Sequence, residues 1–128
     1  MSDSRHIPGQ KVLIVEDDGW LAHQQSRALE RADFVTRVSP HAAAAMVEID
    51  DFRPDVIVLD VLLTGNTGFT LLHELQSYGD TGQIPIILST SLASEINLED
   101  VKPYGVQRIL DKATMKPDTI VAAVRSVL

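Results

Sequence analysis

The chain has 128 residues, 45% of them hydrophobic and 23% charged, the size and balance of one globular domain with its own core. It contains no cysteine, which excludes disulfides, thiolate metal centres and a cysteine nucleophile. The net charge of −7 argues against direct binding of nucleic acid, and no apolar run or signal-peptide pattern suggests a membrane partner, so the cytoplasm is the expected location.

Residues 1–10 (MSDSRHIPGQ) read as a flexible N-terminal tail, and residues 11–128 as the domain. The run KVLIV at 11–15 predicts a first strand, which ends in Glu16-Asp17-Asp18-Gly19. Leu21, Ala28, Leu29 and Ala32 suit one face of a helix over residues 20–32. A short strand of mixed polarity follows at 34–38, and Ser39-Pro40 predicts an N-cap with proline at the first helical position. Ala42, Ala45, Met46 and Ile49 continue that helix until Arg53-Pro54 breaks it. The third strand, VIVL at 56–59, is apolar throughout and delivers Asp60 into a loop containing Gly65 and Gly68.

Beyond that loop, Phe69, Leu72 and Leu75 predict a third helix, closed by Tyr78-Gly79. Residues 84–88 form a fourth strand leading into Ser89-Thr90-Ser91. A weak helix at 94–101 is ended early by Pro103 and Gly105, and a fifth strand at 106–110 leads to Asp111-Lys112. Pro117 starts a last helix with Ile120, Val121, Val124 and Leu128 on one face. The pattern is (βα)5, an α/β doubly wound, flavodoxin-like three-layer sandwich around a parallel five-stranded sheet. The strands at 12, 56 and 84 are apolar and belong inside, whereas Thr36, Arg37, Gln107 and Arg108 mark the other two as edges. That distribution predicts the order 2-1-3-4-5.

In this order the first and third strands are neighbours at the point where the chain reverses direction. Glu16, Asp17 and Asp60 should therefore meet at their carboxyl ends. Three adjacent carboxylates repel one another unless a cation joins them, and Mg2+ prefers such oxygen ligands. Thr90 and Lys112 end the fourth and fifth strands on the same edge. The set suits phosphoryl transfer, with Asp60 as nucleophile, Lys112 binding a phosphoryl oxygen and the Thr90 hydroxyl donating to another. Singly, each residue has a bland reading: a solvated acidic turn, a structural hydroxyl, a surface lysine. Their coincidence on one edge is what points to a site. His6, His23, His41 and His73 show no metal-ligand spacing, and Trp20 falls where packing alone would account for it.

These residues resemble the receiver domain of two-component response regulators, from about Lys11 to Leu128. KVLIVEDD is similar to the first strand with its acidic pair, VIVLDVLLTGNTG to the phospho-acceptor strand and loop, IPIILST to the strand with the switch hydroxyl, and ILDK to the strand bearing the lysine. The separations 17 to 60, 60 to 90 and 90 to 112 are those of a typical receiver. The resemblance implies a single-domain regulator of a two-component system or phosphorelay. It would accept a phosphoryl group on Asp60 from a histidine kinase or histidine phosphotransfer protein, and switch its surface for a downstream protein or for onward phosphate transfer. It also implies Mg2+, for which Mn2+ could substitute, bound directly by Asp17 and Asp60, through water by Glu16, and by the Leu62 backbone carbonyl. A monomer or weak homodimer is expected, with no enzymatic activity beyond its own phosphorylation and dephosphorylation.

Several positions depart from the family pattern. Ala113 stands where proline usually follows the lysine, and without proline the Lys112-Ala113 bond is expected to be trans, since a cis bond would cost about 3 kcal/mol. Ile109 replaces the usual aromatic switch residue, Thr64 a common proline, and Pro103 with Gly105 shortens the fourth helix. The alternative reading is therefore a receiver-like docking module that works without phosphorylation. Leu62 and Leu92, two positions past Asp60 and Thr90, are apolar and predict slow loss of phosphate. A haloacid-dehalogenase-type phosphatase would want an aspartate at Leu62, and a flavodoxin a phosphate-cradling loop where Glu16-Asp17-Asp18 stands.

Overall fold

The computed structural model describes residues 9–61, 68–77, 79 and 81–128. Five parallel strands, β1 (Lys11–Val15), β2 (Val35–Ser39), β3 (Val56–Leu59), β4 (Ile86–Thr90) and β5 (Val106–Asp111), form one sheet in the order β2-β1-β3-β4-β5. The helices are α1 (Gly19–Arg31), α2 (Ala42–Phe52), α3 (Gly68–Gln76), α4 (Leu98–Val101) and α5 (Pro117–Val127). This is the doubly wound, flavodoxin-like architecture that the alternation of runs predicts.

Alternate residues of the central strands feed two separate cores, as the period of two requires. Leu13, Val15, Ile57, Leu59, Ile86 and Leu88 pack with Ala45, Ile49 and Phe52 of α2 and with Leu71, Leu72 and Leu75 of α3. Val12, Ile14, Val56, Val58 and Ile87 face the opposite way, onto Ala22, Ala28 and Leu29 of α1 and Ile120, Ala123 and Val124 of α5. The outer strands show the expected mixed burial: Val35, Arg37 and Val38 of β2 and Gln107 and Arg108 of β5 are exposed.

Four local expectations need correction. Ser39 is the last residue of β2, paired with Val15, and its buried hydroxyl has no hydrogen-bond partner; it does not cap α2. His41 caps instead, its Nδ1 accepting from the Ala44 N–H at 3.1 Å. In α3 the buried set is Leu71, Leu72 and Leu75, while Phe69 is exposed. At about 100° per residue these three leucines share one stripe and Phe69 lies outside it. The fourth strand begins at Ile86 and includes Ser89 and Thr90, both buried. At the C-terminal end Leu128 is exposed, and Ala123 fills the inner face of α5.

The weak fourth helix is four residues of α4 flanked by single 3-10 turns at Ala93–Glu95 and Lys102–Tyr104. Gly105 closes this region at φ +89°, where a Cβ would stand 3.4 Å from the Ile84 carbonyl oxygen. Arg53 ends α2 in the left-handed conformation ahead of Pro54. Among the described residues no peptide bond is cis, so Lys112-Ala113 is trans as expected. Tyr78 and the loop positions 62–67, including Leu62 and Thr64, lie outside the described residues, as do most of the N-terminal tail and His6.

Candidate functional site

The register of the two innermost strands brings the acids together. Val15 pairs with Leu59, so Glu16 and Asp60 are the next residue on each of two adjacent strands. The Asp60 N–H donates to the Val15 carbonyl and the Glu16 N–H to the Ser39 carbonyl, both at 3.0 Å, which extends the sheet's bonding to the acids themselves. Carboxylate oxygens of Glu16, Asp17 and Asp60 lie within 4.8 Å of one another. Glu16 and Asp60 are only 2% and 4% exposed, while Asp17 is open to solvent. The third acid of the run does something different: Asp18 caps α1, accepting from the Leu21 N–H at 3.1 Å.

On the other side, Thr90 pairs with Asp111, and Lys112 follows it. The Lys112 ammonium reaches across to Asp60 Oδ2 at 2.7 Å and Glu16 Oε1 at 2.6 Å. Thr90 is fully buried, and its hydroxyl oxygen accepts from the Leu92 N–H at 3.1 Å. All five sequence-derived candidates with described side chains thus stand on one sheet edge; Leu62, the sixth, is outside the described residues.

The electrostatics are those of a compressed acidic pocket. Burial pushes the Glu16 carboxyl above its ordinary range, and neither the Lys112 ammonium nor the Asp18 N–H offsets it; the Asp60 charge adds to the rise. For Lys112, burial opposes the ammonium, yet hydrogen bonds with Asp60 and Glu16 outweigh it and the pKa is raised. The buried Glu16 Oε1 has the Lys112 ammonium beside it at 2.6 Å as its ion-pair partner. Three carboxylates within 4.8 Å of one another, two of them buried, are the donor set a hard divalent cation takes. The residues present fit such an ion.

One residue near this edge, Gln25, is not legible as a site neighbour in the sequence, and a second, Trp20, differs from its expected packing role. Gln25 of α1 is 3% exposed, its Nε2 donating to Ser89 Oγ at 3.3 Å directly behind Thr90. Its place four residues before Leu29 on the buried face was a usable signal, masked by its polarity. Trp20, read as packing, is 72% exposed, and it borders a groove of about 240 Å3 that Gln25, Lys112, Met115 and Pro117 also line.

A doubly wound parallel sheet with a cation-competent acid cluster at its switch point defines the class: flavodoxin-like α/β domains with their functional edge at the strand ends. Within that class, the response regulator receiver domain family matches residues 12–125, and the chain belongs to it. It is 29% identical over 117 residues to the DNA-binding response regulator MtrA of Mycolicibacterium paratuberculosis, covering 91% of this chain and 50% of that one. The chain thus spans about half the length of the curated relatives it matches. Among solved structures, a sensor protein from Polaromonas superposes with a TM-score of 0.86 at 23% identity, covering 93% and 95% of the two chains, a likeness of fold. The BeF3-activated N-terminal receiver domain of Klebsiella pneumoniae RstA is 31% identical with a TM-score of 0.79, covering 91% of this chain and 97% of that one.

Proposed function

We propose that this receiver accepts a phosphoryl group on Asp60 from a phosphohistidine of a histidine kinase or histidine phosphotransfer protein. An Asp60 carboxylate oxygen attacks phosphorus, the P–N bond to the donor imidazole breaks, and the imidazole keeps the electron pair and takes up a proton. The product is an acyl phosphate. Asp17 and Asp60 would hold Mg2+ directly and Glu16 through water, and the ion supplies neutralisation of the charge that gathers between carboxylate and phosphoryl group. Lys112 exchanges its present bond to Asp60 for one to a phosphoryl oxygen, and the Thr90 hydroxyl donates to another. The observation that carries this reading is the Lys112 ammonium held against Asp60 and Glu16 beside the acid cluster.

The phosphorylated form then has a group near −2 in place of a carboxylate, and the loops around it rearrange to meet that charge. We assign the output to a protein partner or to onward phosphate transfer, from a cytoplasmic monomer or weak dimer. The RstA receiver, described as BeF3-activated, lends support by likeness. The second reading is a docking module indifferent to phosphate. It is favoured by Ile109, which packs partly buried against the core on β5, and by an α4 of only four residues.

Incubation with Mg2+ and acetyl phosphate, followed by intact-mass measurement, tests the choice. One added phosphoryl group, lost in Asp60→Asn and in excess chelator, is expected. No mass gain with any donor, in a folded protein that still binds its partner, would leave the docking module.

A further inference from the structure

We infer that Asp111 is a positioning residue for Lys112: a side-chain turn built on Asp111 fixes the direction in which the lysine leaves β5. The inference rests on the role given to Lys112 above. Asp111 is the last residue of β5 and makes three bonds to the segment just beyond the lysine. Its Oδ1 accepts from the Ala113 N–H at 2.9 Å, closing a two-residue side-chain turn around Lys112. Its backbone carbonyl accepts from Thr114 at 3.2 Å and from Met115 at 2.9 Å. Lys112 is therefore held on both sides, by its own N–H on the Thr90 carbonyl and by the turn that spans it.

A lysine has a long, rotatable stem, and its ammonium here is aimed into the sheet edge at two carboxylates rather than out to water. The next residue, Ala113, is exposed and offers no packing to fix the backbone at that point. Among the described residues the Ala113 N–H has no other partner, so the Asp111 carboxylate adds a side-chain restraint on the peptide after the lysine to the two backbone bonds that span it. Misplacing a charge by ~1 Å can cost up to ~10²-fold in rate, so a loose turn should be read out as slower phosphorylation.

Three substitutions separate the geometry of Asp111 from its charge. Asp111→Asn keeps the short acceptor and loses the charge. Asp111→Glu keeps the charge but is one methylene too long to close the same turn, and Asp111→Ala removes both. Initial rates are measured with acetyl phosphate and Mg2+ on the full chain, with urea midpoints confirming that each variant is folded. The Asn variant should stay within about twofold of wild type, whereas Glu and Ala slow the reaction about five- to tenfold. In a Lys112→Ala background all three should be without further effect, because the residue acts through the lysine.

Equal slowing by Asp111→Ala in the presence and absence of Lys112, a slow Asn variant beside a fast Glu variant, or no slowing at all would overturn the inference. Should Asp111→Ala fail to fold, the Asn and Glu pair decides it. A wild-type rate in Lys112→Ala alone would strike the role of the lysine itself, whereas a slow Lys112→Ala with indifferent Asp111 variants strikes only the positioning.

Discussion

Lys112 is bonded to Thr90 through the backbone, its N–H donating to the Thr90 carbonyl at 3.1 Å across adjacent strands. The ammonium and the hydroxyl that would receive a phosphoryl group therefore stand on two strand ends joined by a backbone hydrogen bond.

Thr90→Val keeps the shape of a fully buried residue and removes its hydroxyl. The Leu92 N–H then loses the acceptor it has at 3.1 Å. A loss of about 1 kcal/mol is expected, read as a lower urea midpoint with unchanged slope. Thr90→Ser should restore most of that stability, and phosphorylation should be slower in Val than in Ser.

Glu16→Gln should stabilise the protein in chelator at pH 7. Burial holds the Glu16 pKa above its ordinary 4.5, so the stability associated with this group is fully present below pH 4.5 and lost as pH rises through the folded value. The gap between variant and wild type should close toward pH 4.5. For Lys112, raised above 10.5, the stabilising share is present below pH 10.5 and lost above it, which predicts alkaline loosening of the same edge. Added Mg2+ should raise the thermal midpoint of wild type more than that of Glu16→Gln.

Gln25 of α1 and Ser89 of β4 form a buried polar pair, and Gln25 Oε1 has no hydrogen-bond partner. Replacing both, as Gln25→Leu with Ser89→Ala, removes the unmet group along with its neighbour. The double variant should match or exceed wild type in a urea titration, whereas Ser89→Ala alone, which leaves the Gln25 amide unpaired, should lose about 1–3 kcal/mol.

Gly105→Ala places a side chain at φ +89° and 3.4 Å from a backbone oxygen. A loss of about 1 kcal/mol in chemical denaturation is expected, more than for alanine at Gly79, where a Cβ meets nothing within 4 Å.

The acyl phosphate should decay slowly in the purified protein. Leu92 is partly buried against the core and offers no polar group to an attacking water. Leu62→Asn should shorten the phosphoryl lifetime, followed by mass after donor removal. Rapid decay that the substitution leaves unchanged would remove the expectation.

The sheet was legible in the sequence because uninterrupted aliphatic runs and mixed-polarity runs sort inner from outer strands, and the acids and lysine each follow such a run. What escaped was chemistry that breaks the usual preferences. Ser39-Pro40 has the composition of a helix start, but β2 keeps Ser39 as its last paired residue and passes the cap to His41, a less common choice. Phe69 has the apolarity of a core residue, but the stripe of α3 runs through Leu71. Gln25 could not be recognised as interior from its own chemistry; its partner Ser89 lies 64 positions away.

Val12 to Val15 and Val56 to Leu59 line the middle of the domain with branched hydrocarbon and almost no access to water. Such a medium cannot polarise to accommodate an extra anion at its margin. An extra charge there is therefore to be met by polar groups at the sheet edge rather than from beneath it.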